Sequence, residues 1–284
     1  MTILITGASG FLGRRTAEYF SSLGYDVLAP SHKQLDITDN AVTENWFRKN
    51  HPQAVFHCAA VSDTGKCQND PEGTAKINVD GAVNLAIACN AVGAKLIFCS
   101  SDQVYAGSSL PGPHSEAEPL QPGNEYARQK LLAEQHISVL CPDAVSLRLS
   151  WMYSTSELPG QHGHLLTTLK AALRDSSIPL TFPIYDHRGI TDTNAVVHNL
   201  SHTLTLPGGV YNFGAGNEMN TFQTIQTVLE ELELHHMLDR LNPNLQAFVH
   251  APRDIRMDTS LAESYGITFP STKNGLLYAL KQYL

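Results

Sequence analysis

The chain has 284 residues, 42% of them hydrophobic, and a formal net charge of −8 at pH 7 with its histidines neutral. This length and apolar content suit one large domain, or a domain with a smaller lobe. The acidic balance, with no run of lysines or arginines, argues against a nucleic-acid partner, and no stretch approaches the roughly 20 apolar residues of a membrane-spanning helix, so no membrane partner is expected either.

Strands and helices are predicted to alternate through the first 150 residues. Apolar runs predict strands at residues 2–6, 25–30, 54–60, 95–101 and 144–150. Helical spacing of apolar residues predicts helices between them, at residues 11–23, 41–50, 71–92 and 124–139. This alternation predicts an α/β fold, a Rossmann-type doubly wound parallel sheet with helices on both faces.

The pattern is looser beyond about Trp151. It predicts helices near residues 161–174, 220–238 and 273–283, and short strands at 179–184 and 209–215. We expect residues 1–150 to form a dinucleotide-binding Rossmann domain and residues 151–284 to form mainly a smaller C-terminal substrate lobe. Within the second half, a segment at about 178–215 is expected to return to the sheet.

The five cysteines are odd in number and form no CxxC pair. Cys58 and Cys99 fall in apolar, strand-like runs, so we expect reduced, buried thiols in a cytoplasmic protein. Residues 2–6 are too short for the apolar core of a signal peptide, and glycines interrupt the next stretch of the chain.

Two pairs of histidines raise the question of a metal site. They are His162 with His164, and His235 with His236. Neither pair has the carboxylate or cysteine spacing that usually completes a ligand set, so we predict no metal.

Three glycines, Gly7, Gly10 and Gly13, lie between the first strand and the first helix. Gly7 can adopt the positive φ of a sharp turn, Gly10 lets the backbone approach a pyrophosphate, and Gly13 lets the helix pack closely on the strand. The N–H groups at the start of the helix can then bind the phosphates of a dinucleotide. The same turn contributes further cofactor-binding candidates, which are Ser9, Phe11 and Leu12.

The residues after the second strand bear on the choice of cofactor. An acidic residue there would bind the ribose hydroxyls of NAD, but residues 29–33 contain none. Arg14, Ser31 and His32 are instead suited to the extra phosphate of NADP. We therefore predict NADP(H) in preference to NAD.

Tyr126 and Lys130 form a YxxxK pair, which places both side chains on one face of a helix. A lysine cation beside the phenol is expected to lower its pKa, so that Tyr126 can act as a general acid or base. Ser100, Ser101 and Asp102 lie at the end of the fourth strand, where ligands bind in such sheets. A serine, the tyrosine and the lysine can together polarise a carbonyl while a nicotinamide supplies hydride. Positions at other strand ends add Cys58 as a cofactor-binding candidate, and Ser62, Gln103 and Val104 as substrate-binding candidates.

The motifs TGASGFLG, SSDQVY and YARQK occur in this order, and with them the chain resembles the extended short-chain dehydrogenase/reductase superfamily. LDITD after the second strand, SSDQVYAG and RLSWMY resemble motifs of the dTDP-4-dehydrorhamnose reductase family. The segments IYDHRGITDTNAVVHNL, GVYNFGAG and PRDIRMDTS align in order with later family segments, so the resemblance covers nearly the whole chain.

The resemblance implies an NAD(P)H-dependent reductase of a keto group on a nucleotide-linked sugar, and a homodimer as its assembly. In such an enzyme Tyr126 would be the proton donor, Ser101 would hold the substrate oxygen, and Lys130 would also hold the nicotinamide ribose. The remaining implied roles are contacts near the adenine for Asp36 and Ile37, backbone contacts with the cofactor for Ala59 and Ala60, a structural or proton-relay role for Asn78, and packing against the sugar for Trp151.

Departures from the family pattern fall in the region expected to bind the sugar. The stretch 186–192 reads DHRGITD, which replaces a glutamine and loses a proline of the family pattern, and Gln103 stands where the family has an aromatic residue. Arg188 and Arg253 are candidates for contacting a diphosphate, through bidentate hydrogen bonds where the geometry allows them. The identity of the sugar and its nucleotide stays open.

Two alternatives stay open beside the reductase. One is an NAD-dependent epimerase or dehydratase of nucleotide sugars, although such enzymes would favour an acidic residue after the second strand. The other is a non-catalytic, cofactor-binding regulatory subunit, because a related branch of the family binds a methionine adenosyltransferase. The presence of Ser101, Tyr126 and Lys130 together favours an enzyme.

Overall fold

A six-stranded parallel sheet forms the centre of the protein. The structure is a computed structural model and describes residues 1–156 and 165–284. The strands of the described residues are β1 (Thr2–Thr6), β2 (Asp26–Leu28), β3 (Ala54–His57), β4 (Lys95–Ser101), β5 (Val145–Leu149), β6 (Trp151–Tyr153), β7 (Leu180–Pro183), β8 (Asp186–His187), β9 (Ile190–Asp192), β10 (Gly209–Phe213), β11 (Leu241–Asn244) and β12 (Arg253–Asp254). The main sheet has the order β10-β5-β4-β3-β1-β2, so the chain reverses its direction of travel across the sheet between β1 and β3. Ligands of doubly wound folds bind at this point.

Helices cover both faces of the sheet. They are α1 (Phe11–Ser22), α2 (Asn40–Asn50), α3 (Thr64–Asn69), α4 (Pro71–Ala75), α5 (Gly81–Val92), α6 (Glu125–Leu140), α7 (Leu165–Arg174), α8 (Thr193–Thr203), α9 (Thr221–Glu231), α10 (His235–Leu238), α11 (Ser260–Glu263) and α12 (Thr272–Lys281). Successive residues of β1 alternate between two cores: Ile3 packs in a cluster with Phe20 of α1, and Leu4 packs in a cluster with Leu85 of α5 and Ile137 of α6. The predicted doubly wound α/β fold is confirmed.

The predicted helix over residues 71–92 contains a π-helical turn. α4 and α5 flank this turn, which runs from Lys76 to Asp80. Single π-helical turns often occur at functional sites because they re-aim one side chain. Here the turn carries Asn78, whose side chain is bonded to the loop after β3.

The described strands outside the main sheet all come from the second half of the chain, which we call the C-terminal lobe. β6 pairs with β9, β7 with β11, and β8 with β12, all in parallel. A third apolar cluster, which includes Tyr153, Leu169, Ile225 and Leu276, forms the core of this lobe. Of the segment 178–215, β10 joins the main sheet beside β5, while β7, β8 and β9 pair outside it. Across residues 1–156 and 165–284, no helix is long and apolar enough to cross a membrane.

Candidate active site

A cleft of about 700 Å³ opens where the chain reverses between β1 and β3. Gly7 has φ 68°, and a Cβ on it would lie 2.6 Å from the backbone nitrogen of Ala59, so only glycine fits this turn. A Cβ on Gly13 would lie 2.3 Å from the carbonyl oxygen of Gly7, so α1 also packs closely on the turn. Gly10 is the N-cap of α1 and offers no side-chain acceptor, which leaves the first N–H groups of the helix available for an anion.

Many of the predicted cofactor-binding residues line this cleft. They are Gly7, Ser9, Gly10, Arg14, Ser31, His32, Asp36, Ile37, Cys58, Ala59 and Ala60. Leu12 does not offer its side chain there, because it is buried in the apolar core between α1 and the sheet. The ring of Phe11 lies against the guanidinium of Arg15 at 4.5 Å.

Two carboxylates lie in the cleft: Asp36, which was predicted to be near the adenine, and Glu18, which was not predicted. Arg14, the expected phosphate ligand, forms an exposed ion pair with Glu18 at 3.0 Å, and Glu18 also lines the cleft. Asp36 accepts hydrogen bonds from the hydroxyl and the backbone N–H of Thr38, and these bonds lower the pKa of its carboxyl. His32 lies 3.9 Å from the same carboxylate. The end of the cleft expected to meet the NADP phosphate therefore carries acidic as well as basic groups.

Tyr126, Lys130 and Ser101 meet beside the carboxyl end of β4. Asn124 caps α6 by accepting a hydrogen bond from the N–H of Ala127, and this fixes where the helix carrying Tyr126 and Lys130 begins. The Nζ of Lys130 lies 5.8 Å from the centre of the Tyr126 ring. The Oγ of Ser101 accepts a hydrogen bond of 3.2 Å from the N–H of Gln103.

Burial dominates the pKa values of this group. Tyr126 is 8% exposed, and the loss of solvent raises the pKa of its phenol above the usual value, although a hydrogen bond with Ser101 opposes this. Burial lowers the pKa of Lys130 to about 8, and the neighbouring thiols Cys99 and Cys58 oppose that shift. The pKa of the Tyr126 phenol is therefore raised by burial, whereas the sequence predicted a net lowering beside Lys130. Tyr126 is a neutral phenol, which is the form that a proton donor needs.

Ser100 and Asn78, which were candidates for the cofactor site, have their side chains hydrogen-bonded within the protein. The hydroxyl of Ser100 donates to the buried carboxylate of Glu134, which also pairs with Arg148 at 2.8 Å. Asn78 bonds both backbone groups of Val61 and donates to the side chain of Gln129 at 2.7 Å. Strand alternation turns Ser100 away from the edge that Ser101 faces, and the π-helical turn aims Asn78 at the loop after β3.

One buried and one partly buried ion pair occupy the region expected to bind the sugar. The guanidinium of Arg188 donates to the carboxylate of Asp102 at 2.7 Å and lies 5.2 Å from the centre of the Trp151 ring. Arg253 donates to Asp186 at 2.7 Å. Both arginines were predicted to be available for a diphosphate, but each is already paired with a carboxylate.

The remaining substrate candidates differ in their exposure. Val104 is fully buried in an apolar cluster with Ile255 and Met257, so its side chain does not face substrate, contrary to the prediction. Gln103 accepts a hydrogen bond from Asn124 at 3.3 Å. Trp151 is 37% exposed and Ser62 is exposed, so both remain accessible.

The described part of the chain holds no cluster of three or more histidine, cysteine, aspartate or glutamate side chains arranged for a metal ion. His162 and His164 lie outside the described residues, as do the first positions of the helix predicted over 161–174. His235 and His236 are exposed neighbours in and around the first turn of α10.

The sequence and the fold are similar to those of known proteins. One relative is a dTDP-4-dehydrorhamnose reductase of Mycolicibacterium smegmatis, 36% identical over 151 residues, a match that covers 53% of this chain and only 46% of the relative. Another is the methionine adenosyltransferase 2 subunit beta of Bos taurus, 25% identical over 93% of this chain and 82% of that protein. The solved structure of dTDP-4-dehydrorhamnose reductase from Bacillus anthracis in complex with NADP superimposes with a TM-score of 0.84, 22% identity, and coverage of 99% and 98% of the two chains.

The family assignment rests on the whole chain. The family described as the RmlD substrate binding domain matches residues 1–284, which includes both the glycine turn and the C-terminal lobe. The resemblance inferred from the motifs is thereby confirmed, and the chain belongs to the RmlD substrate binding domain family.

Proposed function

We propose that the protein is an NADPH-dependent reductase of a keto group on a nucleotide-linked sugar. One observation carries the proposal: a buried, neutral phenol, Tyr126, lies beside the Ser101 hydroxyl and the Lys130 ammonium, at the sheet edge that also carries the glycine turn. This set of groups can protonate and hold a carbonyl oxygen that accepts hydride.

The glycine turn and the start of α1 suit a dinucleotide. The turn packs so closely at Gly7 that no side chain stands between the backbone and a ligand, and the N-terminus of α1 has no side-chain cap, so its N–H groups can bind phosphate. The turn and the start of α1 would hold the pyrophosphate, the loop containing Ala59 and Ala60 would flank the nicotinamide half, and Lys130 would bind its ribose. When bound, the reduced nicotinamide supplies hydride to the carbonyl carbon of the substrate.

The chain's own residues would handle the proton. Tyr126 donates its phenolic proton to the carbonyl oxygen as negative charge develops there. The Ser101 hydroxyl donates a hydrogen bond to the same oxygen and keeps it in line with the phenol. Lys130, whose pKa of about 8 leaves it mostly cationic at neutral pH, stabilises the phenolate that Tyr126 becomes. This step explains why a buried lysine is placed one helical turn from the tyrosine.

We propose that the protein prefers NADPH to NADH because Arg14, Ser31 and His32 line the end of the cleft where the adenine half of the cofactor would lie and could bind its extra phosphate. Glu18 and Asp36 lie beside them, so the preference depends on whether Arg14 leaves Glu18 for a phosphate. Replacing Arg14 with Gln is expected to weaken NADPH binding and leave NADH binding unchanged, as measured by cofactor fluorescence. Equal effects on both cofactors would contradict the preference.

The substrate to test first is dTDP-4-dehydrorhamnose, because it appears in the names of the relatives. The purified protein should oxidise NADPH only when that sugar nucleotide is present, and the product should carry a hydroxyl where the substrate has the keto group. No turnover with this substrate or with a panel of 4-keto sugar nucleotides would refute the reductase proposal.

The broad similarity to a beta subunit of methionine adenosyltransferase supports a second candidate, a cofactor-binding regulatory subunit. Under this hypothesis the protein binds NADPH, reduces no sugar nucleotide, and co-purifies with a methionine adenosyltransferase. A different observation distinguishes the epimerase or dehydratase from the reductase. An epimerase or dehydratase would be purified with about one bound NAD per protein molecule. A homodimer in the cytoplasm remains a prediction for each candidate.

A further inference from the structure

Two cysteines lie side by side at the ends of neighbouring strands. His57, the last residue of β3, is paired with Phe98 of β4, so the next residues, Cys58 and Cys99, stand opposite each other. Their sulfur atoms are 3.7 Å apart. Neighbouring strands are about 4.8 Å apart, and this spacing lies within the Cα separations of about 4.4–6.8 Å that a disulfide can bridge. The backbone therefore already has the geometry of a disulfide, and rotation of the side chains would close it.

The two thiols differ in their access to solvent. Cys58 is half-buried and lines the cleft, whereas Cys99 lies below it and is 7% exposed. The other three cysteines, Cys67, Cys89 and Cys141, are buried and do not line the cleft. A small oxidant that enters the cleft can therefore reach one member of the pair before any other cysteine.

The charge near the pair favours reaction of the inner thiol. The Nζ of Lys130 donates a hydrogen bond of 2.7 Å to the carbonyl oxygen of Cys99, and the charge of this cation favours the thiolate form of both cysteines. The hydrogen bond from Cys58 and this cation lower the pKa of the Cys99 thiol, although burial opposes them. A thiolate is the nucleophile in disulfide formation.

We propose that Cys58 and Cys99 are an oxidation site, at which a peroxide forms an internal disulfide beneath the cofactor cleft. The hydrogen bond with Cys99 and burial raise the pKa of Cys58, so Cys58 reacts as the thiol. Its sulfur attacks one peroxide oxygen, the O–O bond breaks, the thiol proton passes to the departing oxygen, and Cys58 becomes a sulfenic acid while water leaves. The Cys99 thiolate then attacks the Cys58 sulfur, the S–S bond forms, and the hydroxide that leaves takes up a proton as a second water. The two thiols lose two electrons and two protons, and the peroxide is reduced to two molecules of water.

The disulfide acts on both sides of the cleft. Closing the sulfurs from 3.7 Å to about 2.05 Å turns both side chains and ties the end of β3 covalently to β4. On one side, Cys58 precedes Ala59, against which Gly7 packs without space for a methyl group. On the other side, Cys99 carries the carbonyl that holds Lys130. The oxidised protein should therefore bind NADPH more weakly, and this effect alone rests on the proposed function.

Peptide mapping of the full-length protein after treatment with hydrogen peroxide tests the site directly. We expect two of the five thiols to be lost, a mass lower by about 2 Da, and one peptide that links residues 58 and 99. Dithiothreitol should restore all of the thiols. A linkage between other cysteines, or sulfinic acid at Cys58 without any linkage, would overturn the proposal.

Three variants and one ligand complete the experiment. Cys58→Ser and Cys99→Ser should each abolish the internal link, whereas Cys141→Ser, which removes a buried thiol remote from the cleft, should leave it intact. Persistence of the 2 Da loss in Cys58→Ser would refute the assignment. NADPH added before the peroxide should slow the crosslink, because it covers Cys58. A crosslink that forms at the same rate with and without NADPH would uphold the oxidation site and contradict the proposed cofactor position.

Discussion

The ammonium of Lys130 is hydrogen-bonded to the carbonyl oxygen of Cys99 at 2.7 Å, and it also lies 4.6 Å from the centre of the Phe98 ring. Two adjacent residues of β4 thus hold the lysine of α6 in place. This contact brings the helix that carries the proton donor against the strand that carries Ser101. The relative position of these two elements defines the site.

The pH dependence of kcat/KM should report Lys130. Its pKa is lowered by burial to about 8, so the lysine is cationic below that pH and becomes neutral above it. Because the cation stabilises the phenolate, we expect kcat/KM for NADPH-dependent reduction to fall as the pH rises through about 8. A profile that stays flat to the ordinary pKa of lysine, about 10.4, would contradict this role.

The contributions of two neighbouring groups, His57 and Cys99, to that pH profile need to be distinguished from the contribution of Lys130. Burial lowers the pKa of His57 to about 3, so its imidazole is neutral throughout the range and contributes no step. The pKa of Cys99 is also lowered from its usual value, so the profile is repeated in Cys99→Ser. The same descending limb in that variant would assign it to the lysine, and its loss would assign it to the thiol.

Replacement of Ser101 with Ala should lower kcat and leave the fold intact. The hydroxyl is one donor to the developing oxyanion, and loss of one such donor typically costs about 10²–10³-fold. Ser100→Ala is the matched control, because its hydroxyl faces Glu134 on the other side of the strand. We expect that control to retain its rate and to lose about 2 kcal/mol of unfolding free energy in urea, because the lost hydrogen bond is to a charged group. Equal loss of rate in both variants would refute the assignment of Ser101.

The ion pair between Asp102 and Arg188 should stabilise the fold measurably. Both side chains are buried, so removal of one partner leaves an uncompensated charge, which typically costs about 3–5 kcal/mol. Arg188→Met should therefore lower the unfolding free energy by about 3 kcal/mol. The double variant Asp102→Asn, Arg188→Met should be more stable than Arg188→Met alone. Asp102→Asn is measured as well. If the loss of unfolding free energy in the double variant equals the sum of the losses in the two single variants, the two charges do not interact.

A methyl group at Gly7 should abolish cofactor binding. Its Cβ would lie 2.6 Å from the backbone of Ala59, and the positive φ adds strain to that overlap. Gly24 is the matched control, because it has φ 81° with no atom within 4 Å of an added Cβ. We expect Gly24→Ala to lose about 1 kcal/mol of stability and to bind NADPH normally, as measured by calorimetry. Normal binding by Gly7→Ala would contradict the proposed pyrophosphate site.

Local patterns of sequence account for the glycine turn and the YxxxK pair. Gly7, Gly10 and Gly13 act within one turn, and Tyr126 and Lys130 share a helix face by their spacing alone, so neither feature needs the tertiary structure. The alternation of apolar strands and amphipathic helices likewise predicts the doubly wound sheet, because each element must bury one face.

Properties that arise from tertiary contact were not predictable. Asp102 and Arg188 are 86 residues apart, and only the packing of the lobe against the sheet brings them together. The shift of the Tyr126 pKa was predicted with the wrong sign, because the spacing shows the nearby lysine but not the burial that outweighs it. The directions of the Ser100 and Val104 side chains were not predictable for a similar reason, since proximity to a strand end does not tell which way a side chain points.

The most direct test is the reduction of a 4-keto sugar nucleotide by Tyr126→Phe beside the wild-type protein. Phenylalanine retains the ring and its packing but has no proton to donate. We predict that the variant binds NADPH as tightly as the wild type and shows no measurable oxidation of it. A variant that keeps most of the wild-type rate would show that another group protonates the substrate.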